Sequence, residues 1–404
     1  MHELINEEKS IISCHDFELG VERKEKLFYK YSYLSSQKLK GIVFLIHGFG
    51  AQSSYMDNLR EFAAREFSVV AVDVYYHCFF SRLNNRATLK FDSFDVSILN
   101  QLIEQYDINL TSDDTKTVDL VLNKLNNEVE RLKIINIFEK NFKLQLPLTL
   151  VPDNNEYQNF GVMQAIDHIN VLHEIEKLPI DFIDNYSVSI LGTSHGGYLA
   201  HLIAKFAPHK IDFIIDNASY VTPPLHYILG KEADLYTGEM HAYYRENLKL
   251  ACFIKKLWTT NTESPYFFSQ AHQEIRDLNN KDHIKQIANS LYNNTVFISY
   301  HSSKDTLAHI DDKIELYQEL KKNNFNATLH IIDDVAQIDG KFIKNLEHGM
   351  DMSLKELAKR EIPKCVNISP KNHIIDYELS YKCDNQYYIF SYSKNNLKVK
   401  INKS

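Results

Sequence analysis

The stretch GTSHGGYLAHLIAKFA, Gly192 to Ala207, decides the fold. It places Ser194 between Gly192 and Gly196, two residues away on either side. The residues before it, VSIL, are β-branched and apolar and read as a buried strand. The residues after it, YLAHLIAKFA, keep apolar side chains at helical spacing. A serine between such a strand and such a helix sits on a sharp turn, and the glycines remove the side chains that would collide there. The turn alone is compatible with an inert small residue. A nucleophile further requires a histidine to take its proton, an acid to orient that histidine, and N–H groups to receive an oxyanion.

Working outward, the same rhythm recurs on both sides. Residues 10–19 (SIISCHDFEL) and 25–34 (EKLFYKYSYL) read as two opening strands. The run Ile42–Ile46 in GIVFLIHGFG is continuously apolar and closes on a glycine turn, as in a strand buried on both faces. A helix over 54–67 carries Met56, Leu59, Phe62 and Ala63 on one side, and a second buried strand, SVVAVDVYYH, follows. This is a strand–helix–strand crossover. Residues 158–178 form an amphipathic helix, KIDFIIDNAS a strand, NTVFISYHSSKD a strand, 309–323 a helix, NATLHIID a strand and 349–362 a helix. The pattern predicts an α/β fold with a mostly parallel sheet, in a single domain over 1–404. Two stretches break the rhythm and are expected to be cap insertions, 79–156 (largely helical, with Val118, Val121, Leu122 and Leu125 on one face) and 220–291. A β-rich extension is expected over 366–404.

Composition narrows the function classes. The chain has 404 residues, 44% hydrophobic and 24% charged, enough for a sizeable core. Its formal net charge of -8, with no long basic run, argues against a nucleic-acid partner. The five cysteines are scattered and form no CxxC pair, which argues against a disulfide framework or a zinc site. The start, MHELINEEKS, lacks the basic and apolar regions of a signal peptide, and no run reaches the length of a membrane span. A soluble cytoplasmic protein with no membrane span and no metal is the expectation.

The candidate site residues follow from chain order. Asp305 lies in the loop after the strand TVFISY, where the acid of a serine relay is expected; Asp216, at the end of IDFIID, is the alternative one strand earlier. His348, beside Gly349 and past the last main strand, is the candidate base, with His301 and His309 as alternatives in the acid's loop. The oxyanion donors expected are the backbone N–H groups of His195 and of Phe49 in the loop HGFG, His47 to Gly50.

Taken together, IVFLIHGFG, GTSHGGYLA, SSKD and EHG, in this order, resemble the α/β-hydrolase superfamily over roughly residues 25–360. The resemblance implies an eight-stranded, mostly parallel sheet flanked by helices, a Ser-Asp-His triad and no cofactor. The elbow Gly-x-Ser-x-Gly-Gly-Tyr-x-Ala is similar to that of the prolyl oligopeptidase branch and related acyl esterases. Those peptidases carry a large amino-terminal propeller, and about 40 residues before the HGFG strand are too few for one. The chain also resembles an uncharacterised group of bacterial α/β-hydrolase-like proteins. The expected activity is hydrolysis of a carboxylic ester, with a small-molecule or carbohydrate acyl ester as substrate. An acyltransferase, a prolyl oligopeptidase-like peptidase and a non-catalytic binding protein on the same scaffold are the alternatives.

Overall fold

The computed structural model describes residues 3–50, 53–84, 86–108, 117–235, 237–290, 294–366, 376–393 and 396–404. The chain divides into two compact units, one made of 1–77, 160–223 and 269–404, the other of 78–159 and 224–268.

In chain order the first unit opens with β1 (Leu4–Ile12), β2 (Lys26–Leu34), β3 (Leu39–Ile46), α1 (Ser53–Phe67) and β4 (Val69–Tyr75). The second unit then contributes β5 (Thr88–Lys90), α2 (Ser93–Gln105), α3 (Val118–Ile134) and β6 (Leu144–Val151). The chain returns to the first unit for α4 (Val162–Glu176), β7 (Phe182–Thr193), α5 (His195–Phe206) and β8 (Phe213–Asn217). It adds α6 (Leu225–Leu229), β9 (Met240–Tyr244) and β10 (Leu248–Ile254) to the second. The first unit is completed by α7 (Gln270–Arg276), α8 (Lys281–Ala288), β11 (Val296–Ser302), α9 (Ile310–Lys322), β12 (Asn326–Ile332), α10 (Leu354–Cys365), β13 (Asp376–Cys383), β14 (Gln386–Ser393) and β15 (Asn396–Lys403).

The main sheet has eight strands in the order β1-β2-β4-β3-β7-β8-β11-β12. The pairs from β4 to β12 are parallel, and β1 and β2 join antiparallel at one edge. This is the α/β-hydrolase fold. Its central strands are apolar without alternation because helices cover both faces: every residue of β8 and all but the last of β4 are buried. On one face Val43, Leu45, Val69, Ala71 and Leu191 pack against Met56 and Ala63 of α1 and Leu357 and Ile362 of α10. The helix α4, expected to be amphipathic, is instead buried nearly all round, with the polar Gln164, Asp167, His168 and His173 buried as well as its apolar stripe.

Three expectations need correction. The first strand is Leu4–Ile12, not 10–19: the polar start is an edge strand whose register runs Leu4↔Leu34 to Ile12↔Lys26, and polar residues are tolerated on an edge. The stretch 79–156 carries the helices α2 and α3 but is not helical throughout. It supplies β5 and β6 to a four-stranded sheet of order β5-β6-β10-β9, in which β6 and β10 are parallel. The sequence LQLPLTLV hides β6 because Pro147 sits inside it, and a proline ordinarily argues against a strand with neighbours on both sides. The second break in the rhythm is shorter than 220–291, since α7 and α8 belong to the first unit.

The carboxy-terminal strands β13, β14 and β15 form an antiparallel sheet that packs within the first unit. Phe390 stacks on Phe206 of α5 with ring centroids 4.4 Å apart, and Tyr392 Oη donates to Phe206 O at 3.1 Å.

Candidate active site

Ser194 stands between the last residue of β7 and the first of α5, with φ 53° and ψ -120°. A non-glycine residue in the left-handed region is strained, and the surroundings must hold it there. They do so by close approach. A Cβ at Gly192 would lie 2.3 Å from Gly196 O, and one at Gly196 only 2.0 Å from Ile46 O. The first turn of α5 is thus pressed against the end of β3, and only glycine fits. The Ser194 N–H donates to Asn217 O at 2.7 Å, which fixes the turn to the end of β8.

His348 reaches this serine from the loop after β12. Its Nε2 lies 2.8 Å from Ser194 Oγ and its Nδ1 2.8 Å from Asp305 Oδ2. A carboxylate oxygen only accepts, so Nδ1 carries the proton toward Asp305 and Nε2 accepts from the serine hydroxyl. Asp305 follows β11, and its side chain is fully buried while that of His348 is 24% exposed. The other carboxylate oxygen, Oδ1, accepts the N–H groups of Leu307 and Ala308, each at 2.9 Å. Burial opposes the Asp305 charge. The hydrogen bonds from His348, Ala308 and Leu307 outweigh it and hold the carboxyl below its ordinary range.

The loop after β3 comes to the same place. A Cβ at Gly48 would meet Ser194 Cβ at 3.3 Å, so His47 to Gly50 lies directly against the serine. Phe49 packs its ring on His195 at 5.4 Å and on Phe160 at 6.0 Å. His195 is fully buried, and its ring is held at both nitrogens, by Tyr220 Oη at 2.7 Å and Gln164 Oε1 at 2.8 Å. Gln164 Nε2 donates to His77 O at 3.0 Å, which fixes the amide so that Oε1 faces the ring. His195 therefore donates from Nε2 to Gln164, while Nδ1 shares a hydrogen bond with the Tyr220 hydroxyl, which can give or take, and the ring is locked by both neighbours.

The alternative acid is elsewhere. Asp216 is fully buried and accepts from Lys313 Nζ at 2.7 Å, Ser219 Oγ at 2.9 Å and Ser299 Oγ at 3.0 Å, with His201 Nε2 at 3.3 Å. Burial would raise its pKa, but the Lys313 ammonium and His201 drive it well below the usual carboxylate range. It is the anion of a buried ion pair. His301 lies behind Asp305, 3.7 Å from Oδ2, and its Nε2 is 2.8 Å from Ala308 O. His309 is the N-cap position of α9. Asp334 and Asp339 accept backbone N–H groups of their own turns. Nothing in the sequence marks Asn217, the residue after Asp216, yet its backbone carries the serine's N–H.

Among the described residues, no helix is long and apolar enough to cross a membrane. No curated protein sequence matches the chain. Similar solved structures include acylaminoacyl peptidase of Pyrococcus horikoshii, with 13% identity, 94% of this chain and 43% of that chain covered, and a TM-score of 0.46. The chain thus spans less than half the length of that peptidase. A putative dienelactone hydrolase from Klebsiella pneumoniae is 11% identical, with 90% and 96% covered and a TM-score of 0.39. A ferulic acid esterase is 10% identical, with 91% and 98% covered and a TM-score of 0.42. The sequence model of DUF2920, described as a protein of unknown function, matches residues 7–401, and the chain belongs to that family.

Proposed function

We propose that the protein is a serine hydrolase that cleaves a carboxylic ester, an O-acyl group on a carbohydrate or small metabolite, through an acyl-enzyme. One observation carries the reading: an unbroken hydrogen-bond line from Asp305 through His348 to Ser194, with both links at 2.8 Å. Ser194 Oγ attacks the ester carbonyl as His348 Nε2 takes its proton. Asp305, already committed to an anion by two backbone N–H groups, stabilises the imidazolium. The backbone N–H groups of Phe49 and His195 are assigned to the developing oxyanion. His348 returns the proton to the leaving alcohol, then activates water to release the acid.

The test is labelling by a fluorophosphonate probe, together with turnover of p-nitrophenyl acetate. The wild-type chain is expected to label at Ser194, and Ser194→Ala to lose both labelling and turnover while melting as the wild type does. Undiminished turnover in Ser194→Ala overturns the assignment.

A further inference from the structure

We propose that Asn217 is a positioning residue that clamps the loop carrying His348 onto the turn carrying Ser194. The inference rests on the triad reading above and concerns what keeps the two side chains in register.

Both candidate groups leave strained backbone. Ser194 has φ 53°, and the three residues after His348 are all left-handed, Gly349 at 74°, Met350 at 56° and Asp351 at 41°. Two of those three are not glycine, so local preference does not favour this path and packing must impose it. Part of the hold is apolar: Met350 is fully buried in the core beside α10. Part is internal to the loop: Lys344 N and Asn345 N donate to Met350 O at 3.1 and 3.4 Å, and Met352 N to Gly349 O at 3.0 Å. These contacts shape the loop without tying it to the serine.

Asn217 makes that tie. It ends β8, in register with Thr193 of β7 on one side and Tyr300 of β11 on the other, and is 1% exposed. Its backbone carbonyl accepts the Ser194 N–H at 2.7 Å. Its side-chain Nδ2 donates to Thr193 Oγ1 at 3.2 Å and to Gly349 O at 3.1 Å. One residue therefore holds the residue before the serine, the serine itself, and the residue after the histidine. The orientation of the amide is forced. Gly349 O is a carbonyl and can only accept, so the nitrogen must face it, and Oδ1 is left buried without a hydrogen-bond partner. A buried amide oxygen without a partner is costly, which is what a side chain retained for its two donors looks like.

The test is a double-mutant cycle on p-nitrophenyl acetate turnover, using the full chain. Asn217→Ala is expected to lower kcat by roughly 10- to 100-fold with KM within about twofold, since a displacement of about 1 Å at the reacting atoms costs on the order of 10²-fold. Asn217→Asp is expected to be at least as slow, because a carboxylate oxygen meets Gly349 O without a proton to give. In a His348→Ala background the same Asn217→Ala change is expected to alter the residual rate by less than about twofold, as residues acting through one another are non-additive. Equal losses with and without His348, or an unchanged kcat in Asn217→Ala, overturn the proposal. Asn217→Ser, which keeps one donor, serves the same cycle if the alanine variant does not fold. A wild-type chain that fails to label at Ser194 would instead defeat the triad reading.

Discussion

Gly196→Ala puts a single methyl where the fold has no room for it, and the consequence can be worked through. A Cβ there would sit 2.0 Å from Ile46 O, 2.5 Å from Ile46 C and 2.7 Å from His47 O. All three are backbone atoms, so no side chain can swing away. Ordinary contact begins near 3.4 Å, so the start of α5 must part from the end of β3 by more than 1 Å. Overpacking of a tight core costs ~1–3 kcal/mol, and a rigid backbone neighbour puts this case at the upper end. The same displacement moves Ser194 and the His195 N–H away from the His47–Gly50 loop, for which a loss of about 10²-fold in kcat is expected. The assay is p-nitrophenyl acetate turnover with the thermal midpoint measured in parallel. Gly340→Ala is the comparator: nothing lies within 4 Å of its Cβ, but its φ is +69°. It should cost ~1 kcal/mol of stability and leave kcat alone. If Gly196→Ala keeps kcat within about threefold of wild type, the close approach described for this turn is wrong, and the argument from it falls.

Three further outcomes are expected. Asp305→Asn should lower kcat by on the order of 10⁴, as in the serine-protease case of the same relay; a loss below tenfold would remove Asp305 from its role. Asp216→Asn should instead act on stability, by ~3–5 kcal/mol, because it leaves Lys313 charged and uncompensated in the core. Denaturant titration with kcat measured on the folded fraction separates the two acids, and a Asp216→Asn variant that is stable but inactive would reverse their assignment. Stability should also fall in acid through Asp216 and through Glu18, which is buried against Arg276 at 2.8 Å and is likewise held below its ordinary pKa by that guanidinium, against the effect of burial. Their folded pKa values are depressed, so the stabilisation is complete above the unfolded carboxylate range near ~4 and is lost as pH drops through the folded values. The urea midpoint is expected to be level from about pH 7 to 5 and to decline below about pH 4, with a smaller decline in Glu18→Gln; an unchanged decline in that variant would count against the Glu18 part.

The main sheet was readable because burial on both faces leaves apolar runs, and crossover helices leave 3.6-residue periodicity between them. Chain order narrowed the partners of Ser194 to Asp305 or Asp216 and to His348, His301 or His309, since the topology fixes which loops meet at one end of the sheet, and the geometry brings Asp305 and His348 to the serine. What could not be read is informative too. Asp216 and Asp305 both lie near the carboxyl ends of parallel strands, and only the position of Lys313, on a helix almost a hundred residues after Asp216, reserves the first for an ion pair. Asn217 has no local signature, because its role depends on a carbonyl far along the chain. In the second unit a proline masked β6, and His241, Tyr243 and the strand around them offered short mixed patterns that periodicity does not resolve.

That masked strand has a history during synthesis. The end of β6, Thr149–Val151, pairs with β5, which precedes it by about sixty residues, but its parallel partner β10 begins at Leu248, about a hundred residues after Leu144. Until then the ribosome has delivered an apolar row, Leu146, Leu148 and Leu150, with one edge of its backbone unpaired. Such a segment invites pairing with another chain, and a proline in it is a standard obstacle to that pairing. Pro147 thus reads as a safeguard for the interval before β10 arrives. On this view Pro147→Val should increase light scattering on refolding, and equal scattering would remove that role.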